Sequence, residues 1–188
     1  KMEQGGIKVD PKDKSKLADQ SEDRLLKPLL TAIDEVHERS EAAMRRALTM
    51  AYTDPVTRLP NRLRFVSKLD ASVAGGQALS LVICDLDRFR QVNVTYGPRA
   101  ADMALAGVAE RLRATASQSS IASFFVGRIG ADQFGILILD ADQQTVADFL
   151  IAAEKAVAET MSIDDHHVRV TASFGVSRAP DDAQTSFD

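Results

Sequence analysis

The 188-residue sequence has no long apolar run, no excess of positive charge and a single cysteine. No stretch approaches the roughly 18 apolar residues that a membrane-spanning helix requires, and none resembles a signal peptide. The net charge of −4 argues against a nucleic-acid-binding protein, which normally carries a basic face. With 45% hydrophobic and 27% charged residues, the composition predicts a globular protein, cytoplasmic by itself or as the cytoplasmic part of a larger protein.

Sulfur and imidazole chemistry have little support. Cys84 lies in an apolar segment and is predicted to be a small core residue of a reducing compartment. The three histidines, His37, His166 and His167, lack the spacing to other ligand types that a zinc site needs. The sequence also has no internal repeats or low-complexity tracts, so any indication of function has to come from its other motifs.

The chain divides near residue 52. Residues 1–24 are polar and lysine-rich and indicate a linker or a tag remnant, whereas 25–51 show helical periodicity. Because Pro28 suits a first helical turn, the regular helix is predicted to start near Lys27. A heptad-like seam is formed by Leu29, Ile33, Val36, Ser40, Ala43, Ala47 and Met50. Such a seam indicates either a parallel coiled coil that makes a homodimer or one amphipathic helix lying on its own domain.

The remaining residues, 52–188, alternate between helical and strand-like patterns. The predicted elements are helix 62–71, strand 78–84, helices 88–96 and 98–116, hairpin 121–139, helix 143–161 and strand 168–176. Since one connection is a tight hairpin and the others contain helices, the sequence predicts an α/β fold with a mixed sheet.

Two acidic turns stand out, each at the end of a predicted strand. One is Asp85-Leu86-Asp87, and the other is the hairpin turn within residues 128–134, which contains Asp132. Two strand ends that each present an aspartate could converge on one divalent cation, as phosphoryl-transfer sites do. The alternative is that these aspartates are ordinary turn residues.

Four segments carry a resemblance to a known family. Residues 54–62 read D-P-V-T-R-L-P-N-R, residues 84–102 read C-D-L-D-R-F-R-Q-V-N-V-T-Y-G-P-R-A-A-D, residues 130–134 read G-A-D-Q-F, and residues 170–176 read V-T-A-S-F-G-V. In this order they resemble the motifs of the GGDEF domains of bacterial cyclic di-GMP signalling, the diguanylate cyclase family. The resemblance implies a ferredoxin-like βαββαβ core of the adenylyl cyclase and polymerase palm type.

The resemblance also implies a chemistry. Two GTP-loaded domains of this family face each other and form cyclic di-GMP and pyrophosphate. By resemblance, Mg²⁺ is held by Asp85, Asp132 and the backbone carbonyl of Leu86, and Asn93 and Asp102 read the guanine. Amide and carboxylate groups match the hydrogen-bonding edge of guanine. Without the resemblance, Asn93 could be a helix-terminal cap and Asp102 a solvated first-turn acid.

Several residues depart from the family pattern. At the position of the catalytic glutamate stands Gln133, an amide that can neither accept a proton nor supply negative charge to a metal. Ala131 follows Gly130 where the family has a second nucleotide-binding glycine, and costs roughly 1 kcal/mol if the turn requires a positive φ there. Further departures are Arg58 and Ala101 in place of glycine, Val94 in place of aspartate and Pro98 in place of histidine.

Two family features have no counterpart in the sequence. The R-x-x-D motif of the product-inhibition site falls on Ile121-Ala122-Ser123-Phe124, so no inhibitory cyclic di-GMP site is expected. The final phosphate-contacting helix, A-L-Y-x-A-K in the family, is not matched before Asp188 and is expected to be missing. We therefore predict a degenerate GGDEF domain, a GTP-binding regulatory or dimerising module that accompanies an EAL phosphodiesterase domain. The alternatives are a weak diguanylate cyclase and a purely structural dimerisation module.

Overall fold

A computed structural model describes residues 11–179, with the side chains of 11–25 and 29 left aside. The expectations for residues 1–10 and for the final helix, in 180–188, lie outside the described residues. The chain forms two compact units, Lys1–Leu48 and Thr49–Asp188.

The N-terminal helix α1 spans Pro11–Tyr52 and is therefore longer than predicted. The predicted start near Lys27 is wrong, because residues 11–24 are already helical, whereas their assignment to a linker stays a prediction. Lysine, alanine, leucine and glutamine favour helix in this stretch, and the fixed φ of Pro11 suits a first helical position. Pro28 lies inside α1 and removes only one backbone donor, which does not end the helix.

Residues 49–179 of the second unit contain nine further elements. They are α2 (Arg62–Ala74), β1 (Leu79–Leu86), α3 (Phe89–Gln118), β2 (Ser123–Arg128), β3 (Gln133–Leu139), α4 (Gln143–Ala158), β4 (Met161–Ile163), β5 (His166–Val168) and β6 (Ala172–Ala179).

The main sheet has the strand order β2-β3-β1-β6, and every neighbouring pair in it is antiparallel. The succession β1, α3, β2, β3, α4, β6 confirms the predicted βαββαβ core, but the predicted mixed sheet is wrong. Strands β1 and β2, which a helix connects, do run in the same direction. Because β3 inserts between them, they share no hydrogen bonds, and all the pairs that form are antiparallel.

Helices α3 and α4 cover one face of this sheet. Val82 and Cys84 of β1 and Leu112 of α3 are fully buried there, together with Phe149 of α4. Burial, with a smaller contribution from the neighbouring carboxylates Asp85 and Asp87, raises the pKa of Cys84 to about 12. The thiol is therefore an unreactive core group.

Helix α2 packs on the opposite face, over β2 and β3. A Cβ at Gly127 would come within 2.8 Å of the Phe65 ring and a Cβ at Gly135 within 2.5 Å, so a side chain at either position would clash with the ring. Asn61 caps α2 by accepting a hydrogen bond from the backbone N–H of Arg64.

Some element boundaries differ from the prediction. The break predicted at Gly97 is confirmed, because its backbone is non-helical (φ 84°, ψ 168°) and α3 consists of two helices that meet at this kink. The single strand predicted over 168–176 is divided into β5 and β6, and the short β4–β5 hairpin was not predicted. Three-residue strands carry too little alternation for a sequence pattern to reveal them.

Candidate functional site

The antiparallel pairing of β1 with β3 brings the two acidic turns together. Asp85, near the end of β1, is the cross-strand partner of Gln133, the first residue of β3. The backbone N–H of Leu86 donates to the carbonyl of Asp132 at 3.0 Å. The predicted ligand positions Asp85, Leu86 and Asp132 therefore lie beside one another.

The closest side-chain contact at this junction joins Gln133 to Asp85. The Nε2 of Gln133 donates to Oδ2 of Asp85 at 2.6 Å, and both side chains are half-buried. An amide hydrogen bond to a carboxylate is charge-assisted and stronger than one between neutral groups. The residue at the position of the family glutamate thus contacts a predicted metal ligand directly.

Asp87, the second acid of the upstream turn, is engaged elsewhere. Thr171 Oγ1 donates to Asp87 Oδ2 at 2.6 Å, and Ser173 Oγ donates to Oδ1 at 2.8 Å. These hydrogen bonds, that of Thr171 first, hold the pKa of Asp87 below its ordinary value. Asp87 therefore joins the end of β1 to β6 and the residues just before it.

Next to the junction lies a cavity of about 330 Å³ between α3 and the hairpin turn. It is lined by Phe89, Arg90, Asn93, Pro98, Ala101, Asp102, Leu105, Arg128, Ala131 and Asp132. The volume falls within the range typical of small-molecule sites. Four of the predicted site residues, Asn93, Asp102, Ala131 and Asp132, thus share one cavity.

The kink at Gly97 positions the two predicted guanine-reading residues. Asn93 precedes the kink and Asp102 follows it, and both side chains are exposed to solvent at the cavity. A residue at φ 84° is in a conformation that favours glycine, so Gly97 allows the chain to turn there. The buried Ala101 forms part of the cavity wall.

The structure corrects the expectation of strain at Ala131. Among the described residues, the non-glycine positions with positive φ are Arg58, Arg88, Asp140 and Asp164, and Ala131 is not one of them. The turn therefore accepts alanine without a backbone penalty. Arg58, where the family motif has glycine, does lie at φ 59°.

Sequence reasoning missed Arg128, the residue that organises the hairpin turn. Its guanidinium donates to Asp54 at 3.1 Å and to the carbonyl of Gly130 at 3.2 Å, and also contacts the carbonyl of Ala131. Arg90, which lines the cavity, was missed as well. The sequence could have indicated Arg90, because it occupies the lysine position of the family's F-K segment. No local pattern could have indicated Arg128, because its partner Asp54 is distant in sequence.

The side chains present bring two carboxylates, Asp85 and Asp132, to the magnesium site that the resemblance implies. Within residues 11–179, no group of three or more histidine, cysteine, aspartate or glutamate side chains converges, so a cation there would need further oxygen ligands. In addition, the Gln133 amide already occupies one oxygen of Asp85. Magnesium requires ordered oxygen ligands in octahedral geometry, and an amide N–H donor at that oxygen opposes it.

Comparison with known proteins agrees with this geometry. The family model "Diguanylate cyclase, GGDEF domain" matches residues 51–188. The chain belongs to the GGDEF domain family. The GGDEF domain thus covers the second unit with its sheet, its hairpin turn and its cavity.

Several relatives are known. The chain is 34% identical over 151 residues to the bifunctional diguanylate cyclase/cyclic di-GMP phosphodiesterase MucR of Pseudomonas aeruginosa, and this match covers 76% of the chain and 21% of MucR. It is 31% identical over 169 residues to the cyclic di-GMP phosphodiesterase NbdA of the same organism, covering 87% of the chain and 20% of NbdA. The chain therefore spans about a fifth of the length of these relatives.

Among solved structures, the coiled coil and GGDEF domain of DgcB from Caulobacter crescentus, in complex with c-di-GMP, is similar. Its TM-score is 0.72 at 25% identity, and the match covers 82% of each chain. The second unit is thus a GGDEF domain of the kind found in cyclic di-GMP signalling proteins. In residues 11–179, no helix combines the length and apolar character needed to cross a membrane.

Proposed function

We propose that this GGDEF domain binds GTP as a regulatory module and no longer makes cyclic di-GMP. The observation that carries the proposal is the 2.6 Å hydrogen bond from Gln133 to Asp85. At the position of a catalytic glutamate, this chain has a neutral group whose amide is committed to the neighbouring carboxylate. Loss of a general base typically lowers a rate by about 10² to 10⁴.

Nucleotide binding is supported by the cavity beside the hairpin turn. Asn93 and Asp102 offer an amide and a carboxylate to the same cavity, a pair that can satisfy the donors and acceptors of guanine. Arg90 adds a cation that suits a phosphate. ATP would leave some of these polar groups unpaired, which is costly in a partly desolvated site. Magnesium then enters with GTP, held by the phosphates.

The proposal includes partners. The exposed apolar side chains of α1, among them Ile33 and Val36, support a homodimer formed through this helix. Relatives with a phosphodiesterase in their names, such as MucR and NbdA, support an EAL domain as the neighbour in the parent protein. Ile121 and Phe124 replace the arginine and the aspartate of the family's R-x-x-D motif, so we expect no inhibition by cyclic di-GMP. A cytoplasmic location follows from the use of GTP.

Calorimetric titration with GTP and with ATP, followed by chromatography of the same samples for cyclic di-GMP, tests the proposal. We expect GTP binding in the micromolar range, ATP binding at least about tenfold weaker, and no cyclic di-GMP. Asn93→Ala and Asp102→Ala should each weaken GTP binding about tenfold, the worth of one good hydrogen bond. Asp148→Ala, at an exposed aspartate of α4, is the matched control and should change nothing.

The outcomes separate the candidates. Equal binding, or no binding, of both nucleotides would leave only the structural dimerisation module. Synthesis of cyclic di-GMP by the unmodified chain would make it a working diguanylate cyclase, which the retained carboxylates Asp85 and Asp132 favour as the second candidate. In a chain that also carries the family's final helix, Ala131→Gly with Gln133→Glu should recover part of the activity.

A further inference from the structure

The contact between Gln133 and Asp85 is built into the sheet. The two residues are register partners in the pairing of β1 with β3, so the backbone holds their side chains on the same face and next to each other. Both are half-buried, and the donor–acceptor distance of 2.6 Å is short. The contact therefore belongs to the resting structure of the domain.

The other carboxylates near the two turns are also occupied. Asp87 accepts from Thr171 and Ser173, and Asp54 accepts from Arg128. Of the aspartates at the two turns, Asp132 is the one that lines the cavity, where Asp102 lies on α3. Since a divalent cation bound without nucleotide needs several oxygen ligands, a single open carboxylate is a weak cation site.

We infer that the Gln133 amide takes the place of a divalent cation at Asp85 and keeps the two strand ends together without one. A carboxylate at position 133 would face Asp85 at hydrogen-bonding distance, and two like charges there repel unless a cation lies between them. With an amide, the same contact is attractive and needs no cation. The two strand ends of this GGDEF domain therefore stay together without a bound cation. This inference deepens the proposed function, and it rests on that function only in what it implies for nucleotide binding.

The sequence provides a matched control. Gln144 of α4 also donates its side-chain amide to an aspartate, Asp148, at 2.9 Å, but both side chains are exposed on one helix. Gln144→Glu makes the same chemical change as Gln133→Glu, a carboxylate opposite a carboxylate, at a site where solvent screens the repulsion.

The test compares the unfolding temperatures of the unmodified chain, Gln133→Glu and Gln144→Glu in EDTA and in excess Mg²⁺. Mn²⁺ binding to the same three proteins is measured separately by electron paramagnetic resonance. We expect the unmodified chain and Gln144→Glu to unfold at the same temperature in both buffers. Gln133→Glu should unfold at a lower temperature in EDTA, regain stability in Mg²⁺, and bind Mn²⁺ about tenfold more tightly than the unmodified chain.

The inference would be overturned if Mg²⁺ raised the unfolding temperature of the unmodified chain as much as that of Gln133→Glu. It would also be overturned if Mg²⁺ left the unfolding temperature of Gln133→Glu unchanged. If Gln133→Glu is unfolded in EDTA, circular dichroism is recorded while Mg²⁺ is added. Refolding supports the inference, and a variant that remains unfolded contradicts it. Gln133→Ala should lose stability equally in both buffers. A separate GTP titration in excess Mg²⁺ tests nucleotide binding, and its failure would remove the proposed function but leave the cation result standing.

Discussion

The guanidinium of Arg128 lies 3.1 Å from the carboxylate of Asp54, 74 residues earlier in the chain. Both side chains are largely buried, at 14% and 16% exposure. Arg128 also donates to the carbonyl of Gly130, so one side chain joins the turn that precedes α2 to the hairpin turn. The shape of the candidate site at Ala131 and Asp132 therefore depends on a residue with no expected role in binding.

Arg128→Ala should lower the free energy of unfolding by about 1–3 kcal/mol, because it leaves the half-buried Asp54 carboxylate without its cation. Urea denaturation followed by circular dichroism measures this loss. The control is Arg113→Ala, which breaks an exposed pair with Glu110 at 2.7 Å and should cost less than about 1 kcal/mol. Similar losses for the two variants would show that the Asp54 contact contributes no more than a surface pair.

The same contact predicts a pH dependence. Burial by itself would raise the pKa of Asp54, but the hydrogen bonds from Thr57 and Arg128 and the charge of Arg128 together lower it below the ordinary value of 3.8. A carboxyl whose folded pKa is lowered stabilises the fold above its unfolded pKa, and this contribution is lost as the pH falls through the folded pKa.

Asp54→Asn should therefore destabilise the chain more at about pH 6 than at about pH 3, where protonation of the unfolded chain's carboxyl has begun to remove this contribution. Denaturation curves at the two values measure the difference. A destabilisation that is the same at both values would mean that the charge of Asp54 does not contribute.

Two glycines that flank the same residue allow a packing test. Gly135 of β3 and Gly175 of β6 are both cross-strand partners of Ile83. A Cβ at Gly135 would lie 2.5 Å from the Phe65 ring, whereas a Cβ at Gly175 meets nothing within 4 Å. Gly135→Ala should cost about 1–3 kcal/mol of stability through overpacking, and Gly175→Ala should be neutral or slightly stabilising. The reverse order would contradict the placement of α2 over β3.

The surface of α1 predicts an oligomeric state. Ile33 and Val36 are 56% and 65% exposed, which is unusual for large apolar side chains unless a partner covers them. Ile33→Lys with Val36→Lys should convert a dimer to a monomer in light scattering, since like charges at a seam are strongly unfavourable. Glu35→Lys with Glu38→Lys, at the same spacing on α1, is the control. An unchanged mass for the first variant would exclude this seam.

Local signals were sufficient for much of the fold. Helices α2 and α4, strand β1 and the β2–β3 hairpin follow from periodicity and turn residues within a few positions of each element, so the chain itself predicts them. The four motifs likewise predict that Asn93, Asp102 and Asp132 belong to one site, and all three line the same cavity. Boundaries set by weak patterns, such as the start of α1 and the β4–β5 hairpin, were wrong or missed.

The motifs identify the family, and local patterns give the order of most elements and the residue types at the site. How these residues meet depends on the pairing of distant strands. The antiparallel sheet depends on β3 lying between β1 and β2, and strand order is a property of long-range pairing that no local pattern contains. The contacts of Gln133 with Asp85 and of Arg128 with Asp54 follow from that pairing, since each joins residues brought together only when the hairpin returns to the centre of the sheet.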